Sequence, residues 1–134
     1  MAQDTGKIIN TVGRRKTAVA QVKLYSGNGK VIVNNKPVNN YFSGLLRLQE
    51  IATAPFNATK SFSQYDASIT VLGGGVMAQA EAIRHGVARA LALVDSGFKG
   101  ILKKEGYLTR DDRMVERKKA GRPKARKSFQ WTKR

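Results

Sequence analysis

The chain has 134 residues, with 25 Lys and Arg against 9 Asp and Glu and a formal charge of +16 at pH 7, so it holds one domain with at most an appendage. The absence of cysteine excludes a disulfide framework and a thiolate metal site, and the single histidine, His85, cannot supply the multi-imidazole ligation of a typical zinc enzyme. No apolar run approaches the ~20 residues that span a bilayer, and MAQDTGKIIN is no secretory signal, which leaves a small, soluble, basic intracellular protein whose charge must be met by something acidic.

Gly13-Arg14-Arg15-Lys16 directly precedes the first clear strand pattern. Three consecutive cations repel one another unless water or phosphate surrounds them, so this is either a solvated basic loop or a phosphate clamp. Residues 17–25 alternate with period two, placing Ala18, Ala20, Val22 and Leu24 on one face of a half-buried strand. Gly27-Asn28-Gly29 is turn chemistry, and Lys30 to Val33 reads as the returning strand of a hairpin ended by Pro37. Ser43 is placed to cap a short helix carrying Leu45, Leu46, Leu48, Ile51 and Ala52, stopping before Pro55. Residues 66–72 give a third strand pattern.

Gly73-Gly74-Gly75 then leads into the best helix pattern, about residues 76–95, with the stripe Val76, Ala80, Ile83, Val87, Leu91 and Val94 and Gly97 as its C-terminal cap. The triple glycine admits two readings, a tight strand-to-helix turn or a place where phosphate meets the helix N-terminus. It matches neither dinucleotide nor P-loop spacing, so a nucleotide cofactor ranks last. Gly86 costs about 1 kcal/mol against Ala inside a helix, which asks for either close packing on the sheet or close approach of a polymer backbone beside Arg89. His85 points nearly opposite the stripe, toward solvent or RNA. A shorter helix or turn near Lys99 to Glu105 reaches Gly106, and the mixed charges of 109–116 join body to tail. No Ser/His/Asp set or isolated carboxylate pair emerges, and no enzyme, metal site or cofactor is expected. The fold class is α+β, a small, mostly antiparallel sheet with helices packed on one face, over residues 1–110.

An extended tail is expected over 111–134. Residues 117–134 hold 9 basic and no acidic side chains, with Phe129 and Trp131 as the only bulky apolar groups. Alone, such a segment cannot bury enough surface to offset its backbone entropy. Cations interleaved with aromatics suit a nucleic acid, the first neutralising phosphates and the second stacking on bases.

These positions resemble the universal small-subunit ribosomal protein S-nine family, bacterial and organellar type, over nearly the whole chain. The resemblance rests on Gly13-Arg-Arg-Lys-Thr-Ala-Val-Ala, Gly73-Gly-Gly, Ala82-Ile-Arg-His-Gly-Val-Ala-Arg-Ala-Leu, Leu108-Thr-Arg-Asp, Val115-Glu-Arg-Lys-Lys, Lys124-Ala-Arg-Lys and the terminal Gln130-Trp-Thr-Lys-Arg, in that order. Trp131-Thr132 stands where the family usually has Phe-Ser. The resemblance implies a left-handed βαβ body like the second domain of ribosomal protein S-five. It also implies a seat in the head of the small subunit among neighbouring head proteins, away from any membrane. The tail would thread through rRNA, and its tip, Lys133 and Arg134, would reach the anticodon loop of peptidyl-site tRNA. With the cations and glycines above, the rRNA-binding candidates are Arg14, Arg15, Lys16, Gly74, Gly75, Gly86, Arg89, Arg117, Lys118, Lys119, Arg122, Lys124, Arg126, Lys127, Phe129 and Trp131. The location implied is the ribosome of the cytoplasm, or of a plastid or other organelle for an organelle-encoded chain. Met1 without a transit-like leader argues against import. The rival classes are a free RNA chaperone, which shares charge and tail, and a phosphate-handling enzyme, which shares the glycine turn.

Overall fold

Among the described residues nine elements follow one another: β1 Ile9–Arg15, β2 Ala18–Ser26, β3 Val31–Val33, β4 Lys36–Pro37, α1 Val38–Tyr41, α2 Leu46–Thr59, β5 Tyr65–Leu72, α3 Val76–Val94 and α4 Ser96–Glu105. The structure is a computed structural model and describes residues 8–110 and Ala120. The strands form one sheet in the order β1-β2-β5-β3-β4. Neighbours are antiparallel except β3 and β5, which run parallel and are joined by α1 and α2. With one βαβ crossover in an otherwise antiparallel sheet, the fold is α+β.

Period-two burial orients the sheet. Ala18, Ala20, Val22 and Leu24 of β2, Val31 and Val33 of β3, and Ala67, Ile69 and Val71 of β5 all face the helices. The alternate residues Gln21, Lys23, Ser68 and Thr70 are exposed on the other face. α3 lies across β1 and β2, and α2 packs beside it through Leu48, Ala52 and Phe56. Because α3 is covered by both sheet and α2, its buried set is wider than a single stripe, taking in Ala78, Ala82, Ala88 and Ala90. Val76, placed in that stripe by its spacing, is instead 53% exposed at the helix start.

Five sequence expectations are corrected. β3 is not the return strand of a hairpin with β2: β5 lies between them, since parallel pairing with β5 completes the crossover that buries α2. Gly13, Arg14 and Arg15 lie within a strand, β1, whose inward positions are the small residues Thr11 and Gly13 rather than large apolar ones. α2 does not stop before Pro55 but runs through it to Thr59, because Phe56 beyond the proline is locked in the core. Its N-cap is Leu45, while Ser43 has a left-handed φ of 52° and caps nothing. Finally, Gly97 does not end α3. Asp95 closes α3 and caps α4, its carboxylate accepting the Gly97 N–H at 2.9 Å, and Gly106 in left-handed conformation ends α4.

Candidate nucleic-acid interface

One end of the sheet gathers the tight Lys16–Thr17 turn between β1 and β2 and the glycine turn after β5, which meet across the Val19↔Leu72 pair. Gly73 and Gly74 take φ of 78° and 67°. A Cβ on Gly73 would lie 2.7 Å from the Thr17 carbonyl oxygen, and one on Gly74 3.0 Å from the Ala18 Cβ. Packing of the turn therefore accounts for both. Gly75 differs: its φ is −89°, and a Cβ there would meet nothing within 4 Å. As N-cap of α3 it offers no side-chain oxygen, so the helix start is left to other acceptors, with the positive end of the dipole behind it. A polar chain braces this turn from behind. Tyr41 Oη donates to Gln79 Oε1 at 2.6 Å, and Gln79 Nε2 donates to the Gly73 carbonyl at 3.0 Å. Asn34 holds the Val71 N–H and carbonyl through its side-chain amide at 2.9 and 3.0 Å.

The second part of the surface is the seam where α3 lies along β1, the outermost strand. Thr11 Oγ1 donates to the Gly86 carbonyl at 2.7 Å, the Arg14 N–H donates to His85 Nδ1 at 3.3 Å, and the Arg89 guanidinium donates to the Val12 carbonyl at 2.6 Å. The helix thereby occupies edge groups that another strand would otherwise find. Gly86 is buried: a Cβ there would lie 2.7 Å from Val22 Cγ2 and 3.1 Å from the Gly13 nitrogen. Close packing against β1 is what requires glycine at 86, not a polymer backbone, so Gly86 is withdrawn from the contact surface.

Of the three consecutive cations, Arg14 and Lys16 are exposed. Arg15 turns to the helix side and pairs with Glu81 at 2.5 Å, with side-chain exposures of 11% and 24%. His85 is half-buried. Burial lowers its pKa below the ordinary 6.5, and the charges of Arg89, Arg110 and Arg84 add to this against a raising hydrogen bond with the Leu108 backbone. The neutral ring suits the Nδ1 acceptor role, with the proton on Nε2.

At the turn Thr17, next to Lys16, packs on Gly73, while Arg14 and Arg89 both bond across the β1–α3 seam. Two arginines that sequence reasoning missed, Arg84 and Arg110, join His85 there; Arg84 also lies over the Tyr107 ring, 5.3 Å from its centroid. The signal available was Arg84 and His85 standing five and four residues before Arg89, near one side of a helix. Arg117, Lys118, Lys119, Arg122, Lys124, Arg126, Lys127, Phe129, Trp131, Lys133 and Arg134 lie outside the described residues. Among the described residues no three acidic or histidine side chains gather as a metal-ligand set, and no helix is long and apolar enough to cross a membrane.

Fold and surface together define a basic α+β protein whose turn and seam carry exposed cations, Arg14, Lys16 and Arg89. More narrowly, the chain belongs to the ribosomal protein S9/S16 family, which it matches over residues 13–134. That family is one of ribosomal proteins, not of enzymes. The chain is 52% identical to the small ribosomal subunit protein uS9 of Cytophaga hutchinsonii, over 96% of this chain and 99% of that one. It is 48% identical to the uS9 of Azobacteroides pseudotrichonymphae over the same shares, and 47% identical to that of Borrelia turicatae over the whole of both chains.

Proposed function

We propose that this protein is a structural constituent of the small ribosomal subunit, seated in its head. Its body would bind rRNA through Arg14, Lys16, the Gly74–Gly75 turn, Arg84, Arg89 and Arg110, and residues 111–134 would serve as an extended rRNA-binding tail. The observation that carries this reading is the chemistry of the seam: among the described residues three arginines, Arg89, Arg110 and Arg84, act on His85 and no carboxylate does. Such a surface lacks only an anion, and phosphate supplies it. Arg15 enters as the brace that fixes the strand bearing its neighbours. Sedimentation tests the reading: the chain should comigrate stoichiometrically with small subunits at moderate salt, where a free RNA chaperone would not. The ribosome concerned is that of the cytoplasm, or of an organelle if the chain is organelle-encoded.

At the tail's tip, Lys133 and Arg134 would contact the anticodon loop of peptidyl-site tRNA. A guanidinium and an ammonium suit phosphates when the bases are occupied by the codon, and phosphate contacts hold every tRNA alike. Deleting both residues should leave assembly intact and weaken peptidyl-site tRNA by ~1–3 kcal/mol, read by filter binding. Affinity unchanged by the deletion for all tRNAs tried would make the tail an rRNA anchor only.

A further inference from the structure

At the opposite side of the sheet from β1, the ladder between β3 and β4 stops early. Ile32 pairs with Pro37 and Val33 with Lys36, but position 38 has already turned into α1, so no described strand lies beside Val31 on that edge. The Ala67 N–H donates to the Lys30 carbonyl at 2.9 Å and the Asn34 N–H to the Ile69 carbonyl at 2.8 Å, so residues 30 and 34 address β5. Strand alternation then turns the Val31 N–H and carbonyl to the outer edge, where a further strand is able to pair.

Along this edge runs a groove of about 400 Å³ lined by Lys30, Val31, Ile32, Pro37, Val38 and Phe62, among others. Phe62 is 39% exposed, and its ring stands edge-on to Phe56 at 5.7 Å between centroids. Gly29, with φ of 103°, lets the chain pass so close that a Cβ would lie 2.7 Å from the Phe62 carbonyl oxygen and 3.3 Å from its ring. The ring is therefore held in place as one wall. The rim is fixed as well, because Asp66 Oδ1 accepts the N–H groups of Asn28, Gly29 and Lys30 at 2.9, 2.9 and 2.8 Å. A concave, preformed site with an aromatic wall loses little entropy when filled.

Among the described residues no acidic side chain lines the groove, Lys30 lines it, and Lys36 precedes the lining residue Pro37 on β4. A nucleotide would use the Phe62 ring alone, whereas a peptide strand engages the ring, the apolar walls and both Val31 backbone groups together. We propose that this groove receives an extended segment of another protein, apolar at alternate positions and bearing carboxylates that meet Lys30 and Lys36. The RNA reading is needed only to say in which particle the partner is sought.

The test carries a benzophenone side chain at position 62 (Phe62→p-benzoylphenylalanine) in the full chain, expressed in cells and irradiated in isolated small subunits, with adducts mapped by mass spectrometry. The expected adduct is to one stretch of another protein with alternating apolar residues and flanking Asp or Glu. Its yield should fall about five-fold in a Lys30→Glu, Lys36→Glu background, for a total of ~1 kcal/mol from the two exposed charge pairs. A benzophenone at Ile101, on α4, should give no such adduct. Adducts to RNA alone, no adduct from an incorporated chain, or a yield indifferent to both lysine reversals would overturn the proposal. Should the position-62 chain fail to enter particles, benzophenone at Asn39, also on the groove, reads the same outcomes. Failure of the ribosomal reading would show separately, as absence of the unmodified chain from small-subunit fractions.

Discussion

Gly13 and Gly86 face each other across the β1–α3 seam, and their tolerances differ in a way that geometry predicts. A Cβ at 13 would run into the Ala82 carbonyl and the Gly86 backbone, neither of which is a flexible side-chain end. A Cβ at 86 would press first on Val22 Cγ2, a side chain rather than backbone, and gains helix propensity worth about 1 kcal/mol. Gly86→Ala should therefore cost about 1–3 kcal/mol of overpacking before that offset, and Gly13→Ala distinctly more, as read by thermal denaturation. His85 beside them gives a pH signature. Its folded pKa is lowered below 6.5, so the unfolded chain binds the proton more readily. Stability is full above about pH 6.5 and falls as pH drops from there through the folded pKa. As this is the only histidine, His85→Asn should flatten urea-denaturation midpoints between about pH 5 and 7 while keeping an acceptor for the Arg14 N–H. An unchanged pH slope would remove the imidazole from the seam.

Between β2 and β3 the loop is held by one carboxylate. Burial acts to raise the Asp66 pKa, but the N–H groups of Lys30, Asn28 and Gly29 and the Lys30 charge outweigh it, leaving it below the ordinary 3.8. The anion is thus kept through the neutral range, and its contribution disappears only as pH falls through the lowered pKa. Asp66→Ala should abolish hydrogen-exchange protection at the amides of residues 28–30 while β5 keeps its own; retained protection would mean that the loop folds without its clamp. Nothing local marks this role, since Asp66 lies 36 to 38 residues from its partners. The same division decides what the sequence disclosed. β2, β5 and α3 were legible because each buries a regular period against the core. β1 was hidden because its inward positions, Thr11 and Gly13, are chosen for close approach to α3 and for the bond to Gly86 rather than for apolarity. The strand order was hidden because adjacency in sequence suggests a hairpin, whereas β5 arrives only after α1 and α2. At the candidate site, Arg14, Lys16 and Arg89 were legible as charge; Arg84 and Arg110 were not, because only the fold brings them to His85.

Over the whole molecule the charge is very uneven: residues 1–98 carry 11 basic and 5 acidic side chains, while 117–134 carry 9 basic and none acidic. Binding to RNA should therefore release many counterions, at ~0.7 per phosphate neutralised on single strands. The tail cations with Arg14 and Lys16 offer about eleven contacts, and if half engage, log K against log[salt] should slope by roughly −4. Arg14, Arg15 and Lys16 then separate by role, although they are adjacent in sequence. Arg14 lies exposed on its strand and Lys16 at the tip of the turn, so replacing either by Ala should weaken RNA binding and flatten the slope by about 0.7, without sequence preference. Arg15 spends its charge on Glu81 at the inner side of β1. Arg15→Ala should leave the slope nearly unchanged and instead destabilise the body by about 1–3 kcal/mol, since a partly buried carboxylate loses its partner. Filter binding across a salt series, with denaturation of the same variants, reads both quantities. Equal flattening by Arg14→Ala and Arg15→Ala would show that the Glu81 pair opens when RNA binds, and would make all three residues one phosphate clamp.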